Sequence, residues 1–203
     1  PRKIFYGENA ANEFEYPEKA LIITTTTPDI YEKWLTYMGI KNYEIYDKVT
    51  PDPAIETIEE IKEKYEGKEI STYIGLGGGS SMDVSKYLSK LTGIPKILIP
   101  TTFGTGAEMT TYAVVSFEHK KKLLQDEAFL ADVAIVDPFF LPGTPFNIMR
   151  NSACDAMAQA SEGFDSKLGN PFTRFFCREA FDILEDAIIN DKPELLPYGA
   201  MLS

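Results

Sequence analysis

The chain has 203 residues, enough for one α/β domain with part of a second, and its 44% hydrophobic and 12% aromatic content is that of a chain with a core. With 31 acidic against 20 basic side chains the net charge is −11, which argues against non-specific nucleic-acid partners and against an anionic membrane surface. The two cysteines, Cys154 and Cys177, lack CxxC spacing, and no leader or membrane-length apolar run stands out, so buried thiols in a reducing cytoplasm are the expectation.

In chain order, Lys3–Tyr6 reads as a short strand ending at Gly7, and Ala20–Thr25 as a buried, β-branched strand. Thr27-Pro28-Asp29 starts a helix with Ile30, Trp34, Leu35 and Met38 on one face, stopped by Gly39. Tyr43–Tyr46 is the next strand. Pro51-Asp52-Pro53 breaks the chain before a charged helix that turns Ile55, Ile58, Ile61 and Tyr65 inward and ends at Gly67. A further strand and helix flank the run Gly77-Gly78-Gly79-Ser80-Ser81-Met82-Asp83, and Ile94–Ile99 is a strand closed by Pro100. Tyr112–Phe117 and Leu123–Gln125 flank a charged tip, 118–122, as an antiparallel hairpin, and Val133–Val136 is the last strand. Strands alternating with helices predict an α/β fold with a parallel-rich sheet. From Ile148 onward the pattern is helical, as at the start of an all-helical domain whose apolar faces need covering. The Phe139-Phe140, Phe172, Phe175 and Phe176 cluster is most simply core packing.

Consecutive glycines between a strand and a helix let the backbone turn sharply and present bare N–H groups. The helix adds the positive end of its dipole, so an anionic phosphate suits the turn, although a tight connection alone would use the same residues. The polar loop 101–110 follows another strand, at the sheet edge where open α/β sheets bind ligands. Its threonine hydroxyls and glycine amides suit ribose and phosphate oxygens; an ordinary solvated turn has the same composition. No G-x-S-x-G elbow or Walker-type lysine accompanies these loops.

Gly77–Lys86 resembles the GGGSxxDxxK signature of the iron-containing alcohol dehydrogenase family, and Pro100–Thr110 its PTTxGTGSExT signature with Ala107 for serine. Pro51-Asp52-Pro53 is similar to its PNP turn, Ala134–Pro138 to its strand ending in DP, and Asp155–Glu162 to its DAxxHxxE helix. The resemblance implies a Rossmann-like nucleotide-binding domain over 1–144. The start of an all-helical, dehydroquinate synthase-like domain, incomplete over 145–203, would follow it. It implies a cytoplasmic homo-oligomer that binds NADP or NAD and an iron or zinc ion, and moves hydride between a small alcohol or aldehyde and nicotinamide. By the same resemblance Gly78, Gly79 and Ser80 hold the pyrophosphate. Thr101, Thr102, Thr105 and Thr110 line the adenosine and nicotinamide side, and Lys122 reaches the ribose. Asp83 faces the reaction centre as the catalytic carboxylate, though any helix favours an acid in its first turn.

Two positions depart from the pattern. Thr25 stands where the family has an acid that repels a 2′-phosphate, which makes NADP as plausible a cofactor as NAD. Asp155 matches a metal ligand, but Gln159 replaces the histidine one turn later, and an amide oxygen is a weaker ligand than imidazole. His119, the only histidine, sits at the charged hairpin tip and reads as a surface residue. These departures keep open a glycerol dehydrogenase or dehydroquinate synthase relative, and a non-catalytic nucleotide-binding derivative of the fold.

Overall fold

The computed structural model describes residues 1–142 and 144–203. They form two compact units, Pro1–Pro100 with Ala107–Asp137, and Thr101–Gly106 with Pro138–Ser203.

In the first unit the chain runs through β1 (Lys3–Tyr6), α1 (Ala10–Glu13), β2 (Ala20–Ile23), α2 (Pro28–Met38), β3 (Tyr43–Tyr46), α3 (Ile55–Lys64), β4 (Thr72–Gly77), α4 (Gly79–Thr92) and β5 (Lys96–Pro100). After a single 3-10 turn at Ala107–Met109 come β6 (Tyr112–Phe117), β7 (Lys120–Gln125) and β8 (Val133–Val136). Six strands make one parallel sheet in the order β1-β8-β5-β4-β2-β3, as the strand–helix alternation predicts. Strands β2, β4 and β5 are buried along their whole length, which is why they are nearly continuous apolar runs. The edge strand β1 leaves Ile4, Phe5 and Tyr6 exposed. In register, Gly75 lies opposite both Ile23 and Leu98, and Gly77 lies opposite Pro100.

Two helix and hairpin details differ from the sequence pattern. On α2 the inward stripe is Tyr31, Leu35 and Met38, with Ile30 exposed. The tyrosine is amphipathic: it buries its ring and still donates its hydroxyl to Asp47 Oδ2 at 3.2 Å. The hairpin tip is only Glu118-His119, both with positive φ (49° and 62°), as a two-residue hairpin turn requires. Lys120–Lys122 therefore belong to β7, and Val115 of β6 joins the core formed by Leu21, Ile58, Ile61, Val84 and Leu88. His119 is exposed.

The second unit contains α5 (Phe146–Asp165), α6 (Pro171–Ile189) and α7 (Leu196–Leu202). Helix α5 buries Ala153, Ala156 and Ala160, small residues three and four apart on one face. A Cβ on Gly163 would come within 2.6 Å of Cys177 Sγ, so the α5 backbone lies directly against α6. Helix α6 starts at Asn170, whose Oδ1 accepts from the Phe172 and Thr173 N–H groups, with Pro171 as the first helical residue. Its buried stripe is Cys177, Ala180, Leu184 and Ala187. Phe172, Phe175 and Phe176, expected in the core, are exposed instead; of that aromatic set only Phe140 is buried. Cys154 is likewise exposed, against the expectation of two buried thiols. Among the described residues no helix is long and apolar enough to cross a membrane.

Candidate functional site

The glycine run forms the joint between β4 and α4. Gly77 has φ +150°, and a Cβ there would approach Ser81 Oγ to 2.7 Å and Thr25 Oγ1 to 3.6 Å. Only glycine meets both demands. The same contact places Thr25, exposed just beyond β2, beside the turn. Two residues earlier, a Cβ on Gly75 would come within 2.8 Å of Ser85 Oγ and 3.2 Å of Met82 Cα, so this glycine lets α4 pack directly on its own strand. Gly78 is the N-cap of α4 in an extended conformation and contributes no side-chain cap. The first-turn amides, including those of half-buried Gly79 and Ser80, are the ones a helix cannot satisfy internally, and they sit at the positive end of its dipole. Ser81 Oγ is fully buried in this turn without a hydrogen-bond partner. A bare glycine cradle with an unsatisfied buried hydroxyl beneath it fits a phosphate group.

One and two turns further, α4 carries Asp83 and Lys86 inward. Asp83 Oδ2 accepts from the Val114 N–H at 3.0 Å, and Asp83 Oδ1 lies 3.9 Å from Lys86 Nζ. Lys86, with none of its surface exposed, donates to the Tyr112 carbonyl at 2.7 Å and to Thr110 Oγ1 at 3.3 Å. Glu108 is also buried. Desolvation pushes the carboxyl of Asp83 up to about 6, with the Lys86 charge and the Val114 N–H pulling the other way. Desolvation likewise lowers Lys86 to about 8, opposed by the carboxylates of Asp83 and Glu108. Glu108 is raised to about 7 by burial, against its own backbone hydrogen bond and the Lys86 charge.

Lys122 is exposed on β7, its ammonium 4.9 Å from the Phe117 ring centroid. Thr101, Thr102 and Thr105 belong to the second unit. Thr101 is buried, Thr102 is half-buried, and the two line a narrow recess with Phe103, Met149, Ser152 and Leu196; Thr105 is exposed. Gly104 is held close to α5, because a Cβ there would come within 2.8 Å of the Ser152 Cα and carbonyl oxygen. Gln159 Nε2 donates to the Gly104 carbonyl at 3.4 Å, and Asp155 is exposed. Asp155 and Gln159 share a face of α5 one turn apart. They supply at most one carboxylate and one weakly donating amide oxygen, and among the described residues no three His, Cys, Asp or Glu side chains gather as ligands. The described donor set does not make a metal site by itself.

Thus the structure joins Thr25 to the glycine turn and Asp83 to Thr110 through Lys86. Lys86, Glu108 and Ser81 are the site residues without a role in the sequence reading. A signal for Lys86 was present: it stands three residues after Asp83 in a helix whose neighbours Met82, Val84 and Leu88 are core residues.

The family model described as "Iron-containing alcohol dehydrogenase" matches residues 1–138. Long-chain-alcohol dehydrogenase 1 of Geobacillus thermodenitrificans is 34% identical over 148 residues, covering 63% of this chain and 38% of the relative. A 1-propanol dehydrogenase of Salmonella typhimurium is 33% identical over 144 residues, covering 67% of this chain and 39% of the relative. The chain thus spans about two fifths of the length of these curated relatives. In fold it is similar to a sulfoacetaldehyde reductase of Bifidobacterium kashiwanohense solved in complex with NAD+, with a TM-score of 0.87 and 23% identity over 100% of this chain and 64% of the other. The matched residues include the glycine turn, its helix and the whole parallel sheet, and the chain belongs to the iron-containing alcohol dehydrogenase family.

Proposed function

We propose that this chain is the nicotinamide-nucleotide-binding part of a metal-dependent dehydrogenase acting on a small alcohol or aldehyde. The observation that carries the reading is the glycine turn with its uncapped α4 N-terminus and the unpartnered Ser81 hydroxyl. Residues 1–144 form the nucleotide domain, and 145–203 begin the helical domain that takes part in metal and substrate binding. Gly78, Gly79 and Ser80 hold the pyrophosphate on backbone amides. Thr110, Thr101, Thr102 and Thr105 serve the adenosine and nicotinamide side, and Lys122 serves the ribose. Asp83 supports the nicotinamide end. A nicotinamide held there would supply the acceptor or donor for the hydride of the alcohol carbon.

The protein carries NADP at least as readily as NAD, because Thr25 beside Gly77 puts a neutral hydroxyl where an acid would repel a 2′-phosphate. It works as a homo-oligomer in the cytoplasm. The bond that ties Gln159 to Gly104 favours a second reading, in which nucleotide binding persists without a catalytic metal on this helix. Titration of the intrinsic fluorescence of NADPH and NADH against the protein, with equilibrium dialysis against Zn2+ and Fe2+, tests both readings. Comparable binding of the two nucleotides is expected. No binding of either would refute the first reading and the second, and metal retained in a Gln159-dependent way would refute the second alone.

A further inference from the structure

We propose that Lys86 is a positioning residue for the nucleotide, acting through Thr110; this rests on the nucleotide reading above. Helix α4 grows out of the glycine turn, and its Asp83 and Lys86, three residues apart on one face, hold the chain leading into β6 at three alternate residues. The bonds are Lys86 Nζ to Thr110 Oγ1 at 3.3 Å, Lys86 Nζ to the Tyr112 carbonyl at 2.7 Å, and the Val114 N–H to Asp83 Oδ2 at 3.0 Å. A strand held at every second residue on one side cannot slip in register without breaking all three. The bracket therefore fixes the Thr110 hydroxyl at a set distance from the turn that starts the same helix. An apolar side chain would fill the volume of Lys86 without the desolvation penalty of a buried cation. The cation, buried with Asp83 and Glu108, supplies what packing alone does not: two directed bonds to one segment. Thr110 Oγ1 also sits within 3.5 Å of the Ala107 carbonyl, so its hydroxyl hydrogen and its lone pairs are both oriented.

The test is a double-mutant cycle read by NADPH fluorescence titration on Lys86→Met, Thr110→Val and the double variant, with folding followed by circular dichroism. Lys86→Met is expected to weaken binding roughly tenfold, the size of one charge-assisted hydrogen bond. Thr110→Val is expected to have a similar effect, and to add nothing in the Lys86→Met background. Additive losses, or unchanged affinity in a folded Lys86→Met protein, would overturn the inference while leaving the nucleotide reading intact. No NADPH binding by the unaltered protein would overturn that reading and this inference with it. Should Lys86→Met not fold, Lys86→Met combined with Glu108→Gln removes the cation together with a facing carboxylate and takes its place in the cycle. Failure of both to fold would make Lys86 a purely structural strut and overturn the proposal.

Discussion

Glu108→Gln isolates the energetic consequence of a single buried carboxyl. Glu108 is 3% exposed, and burial raises it from the ordinary 4.5 to about 7. The folded state thus holds this proton more tightly than the unfolded chain does, and stability falls as pH rises from about 4.5 through about 7. At about 1.4 kcal/mol per pH unit, the full window is worth about 3 kcal/mol. Glutamine keeps the shape and cannot ionise. Near pH 4.5 the two proteins should differ only by the amide's fit. By pH 8 the glutamine variant should have gained about 3 kcal/mol relative to the unaltered protein. Asp83, also raised, titrates in both proteins and largely cancels from the difference. Urea unfolding at pH 4.5 and pH 8 reads the two differences directly. A gap between the proteins that is the same at both pH values would refute the assignment of a buried, protonatable Glu108.

Three further outcomes follow from other parts of the molecule. Gly104→Ala presses a Cβ into the Ser152 backbone, which cannot yield as a side chain would; a loss of about 1–3 kcal/mol in thermal unfolding is expected. Asn170→Ala removes the acceptor for two amides at the start of α6 and should lower stability by about 1 kcal/mol, seen as a reduced melting temperature. Thr25→Asp should shift nucleotide preference toward NADH by roughly tenfold or more, from one added charge near a 2′-phosphate. Equal affinities for NADH and NADPH in that variant would place the ribose elsewhere.

The parallel sheet was legible because its buried strands are long enough and apolar enough to be seen without partners: Ala20–Ile23, Thr72–Gly77 and Lys96–Pro100 all carry their burial in their composition. The glycine turn was legible because its conformation excludes a side chain, as Gly77 demonstrates. On α2 the core position goes to Tyr31 and not to Ile30, because the tyrosine buries a ring while satisfying its hydroxyl on Asp47. The exposure of the α6 phenylalanines is not legible in the sequence, because hydrophobicity alone does not say which face a neighbouring helix takes. Alanines on α5 demand close approach, and the small Cys177 and Ala180 provide it where Phe175 and Phe176 would hold the helices apart. The Lys86 bracket was illegible for a different reason. Its partners at Thr110, Tyr112 and Val114 are some 24 to 31 residues away, and two of the three bonds involve backbone groups, which every residue carries.

The pairing of Gly77 with Pro100 has a consequence for how the sheet ends. Alternate residues of β5 bond to opposite neighbours: the Pro95 carbonyl accepts from Tyr73 of β4 and the Lys96 carbonyl from Asp132 just before β8, so Pro100, on the parity of Lys96, has its missing N–H on the β8 side. It is the β5–β8 ladder, in register over Ile97 and Leu98, that Pro100 cannot extend with a donor. Replacing Pro100 by alanine would add a donor on the β8 side and leave the fork between β4 and β5, from which the glycine turn opens, as it is.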